Sequence, residues 1–235
     1  MPLGRMTWSR THRPQKPTVA GWAWNTEHVP DANTIFLAHC EDNAASTVVT
    51  DSSGNGYNGV ASANTNTLSA AGKFNLGLNL GAAQNIDVNS NAMDTAIIAA
   101  LNNKCTIEGW FKNAAADWSV FGEQMLLCFR TDGANFIFID YDNTVNKIYF
   151  RYMAIIIDDN GAYVDTTAWQ SMAMTVDNVA DEVKAFVNGV LINTAVGVLP
   201  YVGAVADFKI GSYWNGGVKW NGIVDENAVS NVERY

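Results

Sequence analysis

Charge is what this sequence has least of. Only 16% of its 235 residues are Asp, Glu, Lys or Arg. That is too few for a protein of solvated helices, and the abundant Asn, Gly, Ala, Thr and Val suit short strands and their turns instead. Basic residues are the scarcer sign: 14 Lys and Arg against 23 Asp and Glu leave a net charge of −9. This excludes a nucleic-acid partner for the molecule as a whole, because holding a phosphate backbone takes concentrated cations. Cysteine is limited to Cys40, Cys105 and Cys128, odd in number and without CxxC spacing. Zinc and dithiol motifs are thereby excluded, and the three read as small, buried, free thiols suited to a reducing compartment. No apolar run approaches the ~20 residues that span a bilayer; Met153 to Ile157 is only strand-sized, so no membrane segment is expected. Arg5, Arg10, Arg13 and Lys16 head the chain, but no apolar core or small-residue cleavage site follows, so this stretch is not read as a signal peptide. GxSxG and phosphate-binding glycine loops are also missing.

Proline, five residues in all, is concentrated at one end: Pro2, Pro14, Pro17 and Pro30 fall within residues 1–33. That stretch also holds Trp8, Trp22 and Trp24, and four basic residues against Glu27 and Asp31. It reads as an extended, slightly basic arm, with Trp8, Arg10, Arg13, Trp22 and Trp24 as its anchors for assembly. Residues 34–235 read as one domain, a length that all-β sandwiches commonly reach.

Within that domain, period-two apolar runs alternate with turn signals. Strands are expected over 34–40, 73–80, 85–89, 105–112, 119–129, 135–140, 147–153, 162–166, 169–177, 182–188, 190–194, 206–211 and 219–229. Val187-Asn-Gly-Val190 is the clearest hairpin. Imperfect alternation of Trp169, Met172, Met174 and Val176 suggests a bulge near Gln170. Residues 91–102 break the pattern: Met93, Ile97, Ile98 and Leu101 recur at helical spacing behind an Asn91 or Asp94 cap, predicting a short helix at the sandwich edge. On 105–111, Ile107, Gly109 and Phe111 share one face and Thr106, Glu108 and Trp110 the other, as in an inner strand with its second face partly covered.

Taken in order, several of these pieces resemble the laminin-G-like jelly rolls of the concanavalin-A-like superfamily. They are Phe36 to Asp42, the Asp51-Ser-Ser-Gly-Asn-Gly loop to Gly59, Gly72-Lys-Phe with Leu78-Asn-Leu80, Cys105-Thr-Ile-Glu-Gly-Trp-Phe111, Trp169 with Met172 to Asp177, Val183 to Leu191, Phe208-Lys-Ile-Gly-Ser212 and Trp220-Asn-Gly-Ile-Val-Asp-Glu226. The resemblance spans about residues 34 to 230 and implies a sandwich of two antiparallel sheets with one short helix. It is specific for fold and much less so for function.

Asp51 and Asn55, with nearby carbonyls, offer oxygens to a hard cation. The resemblance implies one structural calcium ion where this loop meets Asp225 and Glu226. Equally, Asp51 can simply cap its own turn. The Glu-x-Asp-x-x-Glu motif of related glucanases is absent: Glu108 has no acidic partner on its face, and His12, His28 and His39 form no cluster. No catalytic residue is therefore assigned. Tyr201, Tyr213, Trp214 and Trp220 lie in or near the glycine-rich stretch 211–222 and form a candidate sugar platform, or else plug the sandwich end. Asp140, Asp142, Asp158 and Asp159 read as solvated turn ends.

Together these features lead to a non-enzymatic structural or interaction protein. The main expectation is a bacteriophage virion component, a capsid-decorating or tail-associated protein assembled in the host cytoplasm. It would dock through its arm onto virion proteins or identical subunits, as a homo-oligomer such as a trimer. The alternative is a carbohydrate-binding or adhesion module at an extracellular surface, with a cell-surface glycan as partner. A polysaccharide hydrolase or lyase is a third reading, for which Glu108 is the residue to test.

Overall fold

A computed structural model describes residues 26–88, 90–159, 166–198, 200–203 and 207–235. The anchors of the expected arm, Trp8, Arg10, Arg13, Trp22 and Trp24, lie outside the described residues, as does most of the strand expected over 162–166.

The first half of the chain forms β1 (Thr34–Ala38), β2 (Val48–Val49), β3 (Gly59–Ala61), helix α1 (Thr65–Leu68), β4 (Ser69–Ala71), β5 (Leu76–Asn79), β6 (Ile86–Asp87), helix α2 (Asn91–Leu101) and β7 (Lys104–Asn113). There follow β8 (Gln124–Arg130), β9 (Phe136–Asp142), β10 (Lys147–Tyr152), β11 (Ile155–Asp158), β12 (Gln170–Asp177), β13 (Glu182–Val187), β14 (Val190–Val196), β15 (Asp207–Ile210) and β16 (Gly222–Ser230). Two eight-stranded sheets result. The first runs β14-β13-β12-β7-β16-β5-β4, with β1 also paired to β16; the second runs β11-β10-β9-β8-β15-β6-β3-β2. The strand pairs are antiparallel, as between β12 and β7 and between β8 and β9, which gives the expected all-β sandwich.

The core lies between the sheets, with Phe36, Phe111, Met174, Tyr141, Phe150 and Phe208 fully enclosed. Cys105, Ile107 and Phe111 of β7 face it. The other face of β7 is covered by the C-terminal residues. Thr106 Oγ1 donates to the Val232 carbonyl at 2.6 Å, and the Tyr235 hydroxyl donates to Glu108. Met93, Ile97 and Leu101 of α2 point into the core, and the helix packs on β7, β1 and β16. Its N-cap is Ser90, in an extended conformation and making no side-chain cap bond, rather than Asn91 or Asp94. The three thiols are buried and free.

Several boundaries differ from the sequence reading, each for a local reason. The strand expected from residue 119 starts at Gln124, because Trp118–Phe121 form a 3-10 turn: Asp117 accepts the Ser119 N–H at 2.9 Å, and Gly122 ends the turn at φ 75. The strand expected from residue 73 starts at Leu76, because Gly72 N–H closes a turn onto the Asn75 carbonyl. No bulge occurs near Gln170. β12 pairs with β7 in unbroken register from Gln170 to Asp177, and it is buried throughout, so both faces read as apolar. The register shift beside it lies instead at Ala185/Phe186, between β13 and β14. Asn188 and Gly189 close the β13–β14 hairpin at φ 50 and 76, the two positive values of a type I′ turn. Strands β2, β3, β4 and β11 were not expected; the first three have only two or three residues each, too few for alternation to show.

Candidate functional site

The outer face of the second sheet carries a pocket. On β9, Ile137, Ile139 and Tyr141 face the core, so Phe136, Phe138 and Asp140 face outward. Register brings Cys128 of β8 and Arg151 of β10 to either side of Phe138, Met125 beside Asp140, and Arg130 beside Phe136. A hairpin-like loop between β15 and β16 folds onto this face. Its base is tied by Trp220 N–H to the Gly211 carbonyl at 2.9 Å and its tip by Tyr213 N–H to the Val218 carbonyl at 2.7 Å. Tyr213, Trp214 and Val218 thereby pack over Met125, Cys128 and Phe138 as a satellite apolar cluster.

Between loop and strands lies a cavity of about 420 Å³, lined among others by Glu123, Met125, Arg130, Phe138, Arg151 and Tyr213. Its floor is aromatic: Phe136 and Phe138 stack at 4.5 Å, and Tyr213 tilts against Phe138 at 5.2 Å. One wall is polar. Arg151 Nε and Nη2 donate to the two oxygens of Asp140 at 2.7 and 2.8 Å. Burial pushes Asp140 up to about 6 and outweighs the opposing effect of Arg151. At the other end, the Arg130 guanidinium lies 3.9 Å from the Trp214 ring centroid. Apolar flooring with a few fixed polar groups is the make-up of small-molecule sites, and ring faces over aromatics with hydroxyls at the wall are how such a surface takes a sugar.

The four aromatics of the expected platform separate. Tyr213 lines this pocket, whereas Trp214 lies outside its lining and packs against Arg130. Tyr201 is buried, its hydroxyl donating to the Asn135 carbonyl at 2.9 Å, and Trp220 sits in the core 5.0 Å from Trp118. Asp140 is not a solvated turn end, nor is Asp159, which is buried and accepts the Ile148 N–H at 3.1 Å. Sequence reasoning missed Arg130, Phe136, Phe138 and Arg151. The signal for two of them was the outward alternation Phe136, Phe138, Asp140 along β9.

The four expected calcium ligands are turned to other partners. Asp51 Oδ1 accepts the N–H groups of Leu37 and Ser53, and its Oδ2 accepts the Ser53 hydroxyl and the Tyr57 N–H, at 2.8–3.1 Å. Asn55 donates to the carbonyls of Thr34 and Ile35. Asp225 accepts the N–H groups of Lys73, Phe74 and Glu226, and burial pushes it up to about 7. Because Asp51 already holds four donors, the set does not fit a calcium ion. Glu226 instead accepts the His28 N–H at 2.8 Å and lies 2.6 Å from His39 Nδ1, with Glu27 3.8 Å from the same nitrogen. Among the described residues, Glu27, His39 and Glu226 bring three ligand-type atoms within 4.8 Å of one another.

Residues 80–234 match the family model Laminin_G_3, described as the concanavalin A-like lectin/glucanases superfamily, and the chain belongs to that family. No curated protein matches it. Among solved structures, it is similar to domain 4 of the GH43 extracellular arabinanase AbnA from Geobacillus stearothermophilus, in complex with arabinotriose. That match has a TM-score of 0.59 and 19% identity, covering 84% of this chain and 92% of that one. The Ruminococcus gnavus IT-sialidase CBM40 aligns with a TM-score of 0.52 and 16% identity, over 66% of this chain and 89% of the other. The binding domain of paraclostridial mosquitocidal protein 1 aligns with a TM-score of 0.60 and 14% identity, over 85% of this chain; the match spans 49%, about half, of that domain. At these identities the likeness is one of fold.

Proposed function

We propose that this chain is a carbohydrate-binding, lectin-like module that holds a glycan in the pocket on the outer face of its second sheet. The observation that carries the reading is the cavity itself, with its stacked Phe136–Phe138 floor facing the Asp140–Arg151 pair. The fold's neighbours that include sugar-binding domains support it. Binding rather than cleavage is the reading because Glu108 is buried beneath Tyr235 on the opposite sheet, out of reach of any pocket ligand. A glycan-array screen followed by calorimetry tests the proposal. Binding should be lost in Tyr213→Ala and weakened in Trp214→Ala, whose ring holds Arg130, while both variants keep wild-type unfolding curves. No binding at millimolar sugar across the array would overturn it.

A second reading, assembly with identical subunits or virion proteins as a capsid-decorating or tail-associated component, has one observation in its favour. The outermost strand of the first sheet, β14, exposes Val190, Leu191 and Val196 and carries no charged residue. An unpaired, uncharged strand edge is a template for another strand. Light scattering tests it: a monomeric mass at the highest soluble concentration, with no capture by particles, would remove it.

A further inference from the structure

Of the two pocket arginines, Arg130 is the one that makes no ion pair within 4.0 Å among the described residues, although Asp207 lies directly opposite it across the β8–β15 pair. Arg151 is matched in two-pronged fashion by Asp140. Arg130 is instead held by neutral contacts: its Nε donates to the Asp132 carbonyl at 3.0 Å, and its guanidinium face lies 3.9 Å from the Trp214 ring centroid. Asp132, the acidic side chain nearest in sequence, directs Oδ1 to the N–H groups of Ala134 and Asn135 at 2.8 and 2.9 Å. Among the described residues no ion pair within 4.0 Å includes Arg130. The stacking and the Nε bond fix the guanidinium plane while leaving its two Nη groups available, a fork that fits a carboxylate.

The pocket is also elongated. Register sets Arg130 beside Phe136 at one end and Met125 beside Asp140 at the other, four positions apart on β9, or about 13 Å at the strand rise. Glu123 lies beyond the Asp140 end. In a chain of net charge −9, Arg130 is fixed over an aromatic ring beside a cavity, while Asp207, opposite it on β15, lies 3.9 Å from Lys209.

Resting on the glycan-binding reading above, we infer that the pocket takes an acidic sugar, its carboxylate on Arg130, its ring against the half-buried Phe136 and Tyr213, and its far hydroxyls toward Arg151 and Glu123. A neutral glycan would leave the Nη groups of Arg130 without a charged acceptor. A ligand with its acid group at the opposite end would meet Glu123 and an arginine, Arg151, already paired with Asp140.

The test is calorimetric titration of the full chain with trigalacturonate, its methyl ester, a sulfated oligosaccharide and a neutral trisaccharide. The acid should bind at least about tenfold more tightly than its ester, the fold-change of one charge-assisted hydrogen-bonded pair. Arg130→Gln should bring the acid down to the ester's affinity, and Arg130→Lys should retain part of the difference. Acid and ester binding alike in the wild type, or preference for the sulfated sugar, would overturn the inference and leave the glycan-binding reading standing. Failure of every sugar to bind would instead remove that reading itself.

Discussion

His39 Nδ1 lies 2.6 Å from Glu226 Oε1, joining the residue just after β1 to a buried glutamate 187 positions later in β16. The hydrogen bond to Glu226 raises the His39 pKa above its ordinary 6.5. An imidazole raised in this way holds its proton more tightly folded than unfolded. Its stabilisation is therefore complete below pH 6.5 and is lost as pH rises through the raised native value. His39→Gln should accordingly cost about 1–2 kcal/mol near pH ~5.5 and less near pH ~8.5, measured by urea unfolding. His28, pushed down to about 3 by burial and further by the charges of Arg234 and His39, is present in wild type and variant alike; its destabilising effect as pH falls below 6.5 works in the opposite direction and is partly relieved when His39 is replaced. A cost independent of pH would mean that His39 is neutral in the fold.

Glu108 carries the opposite lesson. Burial pushes it up to about 7, so its ionisation costs stability as pH rises from 4.5 through 7. Glu108→Gln should be more stable than wild type above pH 7, by about 1–3 kcal/mol, and no more stable near pH 4.5. Its affinity for any pocket ligand should be unchanged. A loss of glycan binding or of an enzymatic activity on this substitution would place function on the wrong sheet.

Gly222 is a close-approach glycine. A Cβ there would fall 2.2 Å from the Lys112 carbonyl oxygen, backbone against backbone, where β16 pairs with β7. Gly222→Ala should cost at least about 2 kcal/mol by chemical denaturation. Gly216 has φ +74 but nothing within 4 Å, so Gly216→Ala should cost only about 1 kcal/mol, the conformational term alone. Equal costs would mean that β16 can shift to make room.

Asp51 should matter to stability without a metal. Asp51→Ala removes the acceptors of four hydrogen bonds, two of them from Leu37 and Tyr57 outside its own tight turn. It should cost about 2–4 kcal/mol. Adding calcium or a chelator should leave the melting temperature of the wild type unchanged. A calcium-dependent rise would show that the loop rearranges to release those oxygens.

The parts of the fold legible in the sequence were those where one chemical signal had one structural solution. Asn188-Gly189 demanded positive φ, and β7 showed two distinct faces, of which the one with Ile107 and Phe111 meets the core. The pocket was hidden for a physical reason. Its residues come from three strands and a loop, and on β9 both faces are largely apolar, so Phe136 and Phe138 look no different from Ile137 and Ile139 until pairing assigns their sides. Glycine-rich surroundings left Trp220 readable either as a sugar platform or as a plug of the sandwich end; its backbone bond back to Gly211 goes with a ring buried in the core. Asp140 read as solvated because its partner, Arg151, lies across the strand pair rather than beside it in sequence.

The ion pair of Asp31 with Arg234, 203 positions apart, and the bond from Arg234 N–H to Thr106 put both of these segments on the outer face of the first sheet. The pocket opens on the outer face of the second. Anything pulling on a bound ligand against either of these segments therefore loads the sandwich across its thickness. Such a force bears on the interlocked rings between the sheets, among them Phe36, Phe208 and Phe129, and is directed away from the axis along which neighbouring strands unzip.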